Sequence, residues 1–208
     1  ERDAGVCEEA GADVVFHPEP EEMYFEDNCT FVDMDGLTKG LCGKSRPTHF
    51  RGVCTVVSKL FHIVTPDRAY FGQKDAQQLA VIRRMVRDLN FGISIVGCPI
   101  VREEDGLAMS SRNTYLSPKE RKAALILHKS LSAAEEMAKA GERDAGKLIS
   151  AIVKSIKTEP LARIDYVELV DAETLEPVGS IKAPILAAIA VYIGKTRLID
   201  NFSFSPEA

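Results

Sequence analysis

Long apolar runs, clustered histidines and closely spaced cysteines are all missing from this chain of 208 residues. No stretch approaches the ~20 apolar residues of a membrane helix. Ile185 to Ile193 comes closest and is strand-sized. No secretory signal opens the sequence. The five cysteines (Cys7, Cys29, Cys42, Cys54 and Cys98) are odd in number and widely spaced, with no Cys-x-x-Cys pair. That pattern excludes a zinc framework and a secreted disulfide framework, and reads as reduced thiols in a cytoplasmic protein. The four histidines are scattered, so no metal site is expected from them. A net charge of −5 argues against nucleic acid or a membrane surface as a partner. What is present is an ordinary globular composition, 45% hydrophobic and 27% charged, in a length that suits one large domain or two small ones.

The chain begins without Met, at Glu1-Arg2-Asp3, inside what reads as a helix with Val6 and Ala10 on its apolar side. A start in mid-helix is expected of an N-terminally truncated chain. Asp13-Val14-Val15-Phe16 and Cys29-Thr30-Phe31-Val32 read as short strands, with a brief helix at 21–24 between them. Residues 36–46 hold three glycines ahead of Pro47 and read as a loop or broken helix. Val53, Val56, Val57, Leu60, Phe61 and Val64 recur at helical spacing, which predicts a helix over 50–64 ended by Pro66. A strand over 69–72 follows, then a helix over 74–90 that turns Leu79, Ile82, Met85, Val86 and Leu89 inward and Arg83, Arg84 and Arg87 outward. Another strand is expected at 93–96. Alternation of this kind implies a parallel sheet with crossover helices.

Past Val101 the texture changes. Residues 102–113 form a polar connector. Ser117-Pro118-Lys119-Glu120 carries an N-cap, a proline at the first helical position and the glutamate of a capping box, so a helix is predicted from there to about Ala140. A second helix is expected over 144–157, then strands at 164–170, 185–193 and 196–199. The expected fold is therefore α/β: a parallel-sheet domain over 1–100, incomplete at its N-terminus, followed by a smaller α+β domain over 101–208. Glu-Arg-Asp-Ala-Gly occurs at 1–5 and again at 142–146, but the surroundings differ and no repeat is expected.

Two segments carry the candidate chemistry. Gly72-Gln73-Lys74-Asp75, followed by Gln77 and Gln78, sits where a parallel strand ends and a helix begins, the place where ligands bind in open α/β sheets. Gly72 permits close backbone approach, the helix start favours an anion, Lys74 can reach a phosphate and Asp75 a ribose hydroxyl. The plainer alternative is a solvated lysine beside an ordinary helix cap. Met109-Ser110-Ser111-Arg112-Asn113 places two hydroxyls and a guanidinium on a flexible connector, a set suited to phosphate oxygens. Taken alone it could equally be a polar loop before a capped helix. His49, after Arg46-Pro47-Thr48, is read first as a packing histidine and second as a donor near an anionic substrate.

Taken together these runs resemble the pantoate–β-alanine ligase family. The resemblance is carried by Ser45 to Val53, by Phe71 to Asp75 with Gln77 and Gln78, by Asp105 to Asn113 with Tyr115 and Leu116, and by Thr196-Arg197-Leu198-Ile199-Asp200-Asn201. It implies a Rossmann-like fold and a two-step reaction. Pantoate attacks the α-phosphorus of ATP, giving pantoyl adenylate and pyrophosphate. β-Alanine then attacks the adenylate, releasing AMP and pantothenate. It further implies Mg²⁺ with the triphosphate and a cytoplasmic homodimer. Carried over by position, Gly72, Gln73, Lys74 and Asp75 bind ATP, Gln78 binds pantoate, and Val101 meets the adenine through its backbone. Met109, Ser110, Ser111 and Arg112 form a mobile phosphate loop similar to the Lys-Met-Ser-Lys-Ser loop of class I aminoacyl-tRNA synthetases. Lys74, Ser110, Ser111 and Arg112 are the expected catalytic groups, and Val56, Val57 and Leu60 an expected wall of the pantoate pocket. Gln73 stands where some members have Glu. The family's His-x-Gly-His-like motif does not occur in the sequence, so these residues alone are expected to be inactive. The alternatives are a related nucleotidyltransferase acting on another acid, and a non-catalytic nucleotide-binding or dimerising fragment.

Overall fold

The computed structural model describes residues 2–206, with Glu1 of the expected first helix outside that range. Two compact units separate, 1–31 and 32–208. The first holds helix α1 (Arg2–Glu9) and the short α2 (Pro20–Met23), whose start is closed by a capping box between Glu19 and Glu22. The strand expected at 13–16 does not form: Val14 is 82% exposed and no ladder includes these residues. β-branched side chains favour extended backbone, but a strand also needs a partner for its amides.

In the second unit the strand expected at 29–32 is likewise absent at Val32, whose amide is taken by the Thr55 hydroxyl at 3.0 Å instead of a ladder. After the short α3 (Leu41–Ser45) comes α4 (His49–Val64), which ends where Thr65 turns left-handed at φ 46° ahead of Pro66. Strand β1 (Arg68–Gly72) leads through a 3₁₀ turn (Gln73–Asp75) into α5 (Ala76–Asp88), and β2 (Ser94–Cys98) returns parallel to β1 in the register Phe71 opposite Gly97. Leu79, Ile82, Met85 and Val86 are buried as expected, but Leu89 is half exposed, because the helix stops before its turn completes and Asn90 goes left-handed. A core forms from α4 and α5 around Phe50, Cys54, Val57, Phe61, Ile82 and Met85. Burial pushes the Cys54 thiol up to about 11, so it packs as a small hydrophobe.

The predicted helix from Ser117 is two helices, α6 (Pro118–Ala123) and α7 (Ile126–Lys139). The capping box is present as read: the Ser117 hydroxyl accepts from the Glu120 amide, and the Glu120 carboxylate accepts from the Ser117 amide at 2.9 Å. α8 (Ala145–Ile156) starts on Asp144, whose side chain accepts from the Lys147 amide. Asp3, its counterpart in the repeated pentapeptide, lies inside α1 rather than at a cap, so the two copies have different structures.

Strands β3 (Ala162–Asp171), β4 (Ile185–Ile193) and β5 (Thr196–Phe204) form an antiparallel sheet in that order. β5 is longer than read from the sequence because its polar residues Asp200 and Asn201 are paired inside the ladder. β4 is buried along nearly its whole length. Strand alternation sends Ile185, Ala187, Ile189, Val191 and Ile193 into the core under α7 and α8. The same alternation sends Leu186 and Ala188 to the core of α4 and α5. α4 and α5 are thus walled by a strand of the second half.

Candidate functional site

A cavity opens where the amino end of α4, the β1–α5 turn, the 101–115 connector and β5 meet. Lys74, Asp75 and Gln78 enter it from the turn and the first residues of α5. Ser110 and Arg112 enter from the connector, Arg46 from the end of α3 and His49 from the start of α4. Leu41, Phe50, Tyr166, Leu186 and Ala188 give it an apolar side. Lys74, Arg46, Arg112 and Arg197 line it against two carboxylates, Asp75 and Asp200. In a chain of net charge −5, this is a local excess of positive charge, suited to an anion.

The turn that carries Lys74 is held by its backbone. The side-chain amide of Asn201 donates to the carbonyls of Gln73 at 3.0 Å and Lys74 at 2.8 Å. Gln77 and Gln78 both line the cavity but differ in burial. Gln77 is buried, its carbonyl accepting from the Cys42 amide at 2.9 Å and its amide donating to Leu37 and Gly40. It braces the 36–46 segment, which also needs Gly43: a Cβ there would stand 1.8 Å from the Thr38 carbonyl oxygen. Gln78 is only partly buried.

The connector is a small hairpin followed by a 3₁₀ turn (Ser111–Tyr115). The Met109 amide donates to the Val101 carbonyl at 2.9 Å, and Glu103 and Leu107 bond across the tip. Gly106 sits at φ +93°, and a Cβ there would fall 2.4 Å from the His128 ring. The base is tied by Asn113, which donates to Glu103 at 2.7 Å and to the Ala108 carbonyl, and by Arg121, which bridges Glu103 and Asp105. The Arg121 and Asn113 hydrogen bonds hold the Glu103 carboxyl below its ordinary range. Beyond that base the loop is lightly held. The Ser110 hydroxyl accepts from the Arg112 amide at 3.2 Å, and the Arg112 guanidinium donates to the Arg197 carbonyl at 3.2 Å.

Of the residues singled out from the sequence, Lys74, Asp75, Gln78, Ser110, Arg112 and also His49 line one cavity. Gly72, Gln73, Val101, Met109 and Ser111 lie around it without lining it; Val101 and Met109 are mostly exposed at 64% and 54%. A Cβ on Gly72 would meet nothing within 4 Å, so no packing demand of the described chain accounts for that glycine. Val56, Val57 and Leu60 do not line the cavity either. Val57 and Val56 pack with the α4–α5 core, and the apolar lining comes from Leu41, Phe50, Leu186 and Ala188. Burial, then the nearby Arg46, lowers the His49 pKa against the opposing pull of Asp75, which favours a neutral imidazole.

Sequence reading missed the contribution of β5. Arg197 donates from Nε and Nη2 to Asp165 at 3.0 and 2.8 Å and stacks over Tyr166. Asp200 is 2% exposed and accepts two hydrogen bonds from Arg102, at 2.7 and 3.0 Å. The signal available was a strand pattern interrupted by Arg197, Asp200 and Asn201 among apolar neighbours.

The family described as Pantoate-beta-alanine ligase matches residues 1–203. The chain belongs to the pantoate–β-alanine ligase family. A pantothenate synthetase of Enterococcus faecalis is 64% identical over 204 residues, which are 98% of this chain and 72% of that relative. One from Clostridium acetobutylicum is 62% identical over 205 residues, 99% of this chain and 73% of the relative. Among solved structures, a pantothenate synthetase of Thermus thermophilus superposes with a TM-score of 0.94 at 47% identity, covering 99% of this chain and 74% of that one. A pantoate–β-alanine ligase from Francisella tularensis, complexed with Beta-gamma ATP and β-alanine, superposes at 0.73 with 30% identity over 97% of this chain and 68% of that one. Membership of the ligase family confirms the α/β architecture of a parallel-sheet domain with a smaller antiparallel unit. No helix among the described residues is long and apolar enough to cross a membrane.

Proposed function

We propose that the cavity binds ATP beside pantoate and serves the adenylating step of pantothenate synthesis. The observation that carries this reading is the convergence of Lys74 and Gln78, from a strand–turn–helix, with Ser110 and Arg112 from a separate connector. Two anions, a carboxylate and a triphosphate, must meet for the reaction, and clustered cations offset their repulsion. In this reading Gly72, Gln73, Lys74 and Asp75 take ATP, with Lys74 on its phosphates, and Val101 meets the adenine through its backbone. Met109, Ser110, Ser111 and Arg112 close on the phosphates as the loop of a lid over 101–208. Gln78 hydrogen-bonds pantoate, with Leu41, Phe50 and Ala188 as its apolar wall. The pantoate carboxylate attacks the α-phosphorus, pyrophosphate leaves, and β-alanine then displaces AMP from the acyl carbon. The Beta-gamma ATP and β-alanine of the Francisella tularensis complex support this substrate set.

Mg²⁺ belongs to this reading as a companion of ATP. Among the described residues no group of three His, Cys, Asp or Glu could hold a metal. In this reading the ion takes phosphate oxygens and water as ligands, with Asp75 a carboxylate lining the same cavity. The family resemblance also supports a cytoplasmic homodimer, which sedimentation would test. The sequence contains no His-x-Gly-His run, so the 208 residues are expected to bind nucleotide without rapid turnover.

Pantoate-dependent exchange of pyrophosphate into ATP tests the function. It is to be measured on this chain and on a chimera carrying the additional segment of the Enterococcus faecalis relative. Exchange in the chimera that requires pantoate supports the reading. Exchange driven by a different acid would move it to a related nucleotidyltransferase, and ATP binding without exchange in either protein to a non-catalytic module.

A further inference from the structure

The two segments that bring cations to the cavity have no direct hydrogen bond to each other among those observed, yet both are tied to consecutive residues of one strand. Asp200 and Asn201 are neighbours on β5, and strand alternation turns their side chains to opposite sides. Asp200 reaches Arg102, at the root of the phosphate-loop hairpin, and Arg102 also donates to the Gly106 carbonyl at its tip. Asn201 reaches the carbonyls of Gln73 and Lys74. Both side chains are buried, at 2% and 6% exposure, where an amide or carboxylate is costly unless every group is paired.

We infer that Asn201 is a positioning residue for Lys74, and that with Asp200 it sets the spacing between the Lys74 turn and the phosphate loop. The inference rests on the reading of Lys74 as an ATP-phosphate contact. The geometry singles out Asn201. Its two amide hydrogens match two successive carbonyls at the point where β1 has ended and α5 has not begun. Those carbonyls precede the regular hydrogen bonding of α5, and without Asn201 the 3₁₀ turn loses this anchor to β5. Asp200 completes the arrangement by accepting the backbone N–H of Asn201 at 2.8 Å, which ties the Asp200 carboxylate to the strand position of Asn201.

The test is a double-mutant cycle read by ATP and adenosine affinity, with calorimetric titration of the full 208-residue chain. Asn201→Ala should weaken ATP about tenfold, as expected for the loss of two positioning hydrogen bonds, and leave adenosine within about twofold. Asn201→Asp keeps the volume but removes the donors and sets a carboxylate against two carbonyls, so it should weaken ATP at least as much. In a Lys74→Ala background both substitutions should lose their effect on ATP. Melting curves without ligand show whether each variant is folded, and Asn201→Asp supplies the comparison if Asn201→Ala is not. Three outcomes would overturn the inference: Asn201→Asp binding ATP normally, equal losses for ATP and adenosine, or additivity with Lys74→Ala. If Lys74→Ala itself binds ATP normally, the assignment of Lys74 fails first and the inference falls with it, which separates that failure from the other three.

Discussion

The Lys74 turn and the Ser110–Arg112 loop bring the same kind of group to one cavity, but the fold holds them very differently. Lys74 follows a parallel strand, precedes a four-turn helix and has its carbonyl pinned from β5 at 2.8 Å. Arg112 lies beyond the hairpin root, with a single 3.2 Å bond from its guanidinium to the Arg197 carbonyl. The first arrangement is built to be in place before a ligand arrives. The second leaves the cation free to exchange one weak acceptor for a phosphate, which suits a loop that closes on its substrate. Anchoring therefore differs by function, not by distance from the core.

The largest effect should come from removing the carboxylate that holds the hairpin root and accepts the Asn201 backbone N–H. Asp200→Ala would leave the Arg102 guanidinium, three-quarters buried, without its carboxylate. A loss of about 3–5 kcal/mol in stability is expected, read by urea unfolding. Arg112→Ala should change stability by no more than about 0.5 kcal/mol. Equal losses in the two variants would erase the contrast between an anchored and a lightly held element.

An intermediate effect is expected on ligand binding. Lys74→Ala and Arg112→Ala should each weaken ATP by about 10–100-fold, the range for one charge-assisted contact. The two should separate in rate. Loss of the placed lysine should leave loop closure unaltered, whereas loss of Arg112 should chiefly raise the dissociation rate of ATP, measured by stopped flow. A rise confined to Lys74→Ala would reverse the assignment of fixed and closing partners.

The smallest effect concerns His49. Its pKa is lowered in the folded chain by burial and by Arg46, so the unfolded chain takes up the proton more readily. Stability should accordingly be complete above the ordinary histidine value of 6.5 and decline as pH falls through it. His49→Gln should flatten that part of the profile, between about pH 5 and 7, in chemical denaturation. A profile unchanged by the substitution would show that the imidazole is not held neutral by the cationic cavity.

Sequence legibility followed the range over which each feature is decided. α4 and α5 were readable because their apolar spacing is local, and the start of α6 because Ser117, Pro118 and Glu120 state a cap within one turn. Lys74 and Arg112 were readable as chemistry, since a cation beside hydroxyls and glycine is conspicuous in a short run. The strands expected at 13–16 and 29–32 failed because propensity does not supply a pairing partner. Asn201 stayed hidden for the same reason in reverse: its partners lie 127 and 128 residues away, and only the folded chain brings them together. Gln77 and Gln78 are adjacent and chemically identical and both line the cavity, yet only Gln77 is buried and spends its amide on bracing the 36–46 loop, a distinction the sequence does not carry.

The two-faced burial of β4 has a consequence for how the chain is made. α4 and α5 leave the ribosome complete at Asp88, but the strand that walls their core begins at Ile185. At ordinary synthesis speeds that interval is roughly 5–20 s, during which Phe50, Phe61 and Met85 have no Leu186 or Ala188 to cover them. The nascent protein must therefore pass through a stage with unfinished apolar surface, and it is the late arrival of a single strand that closes both of its cores.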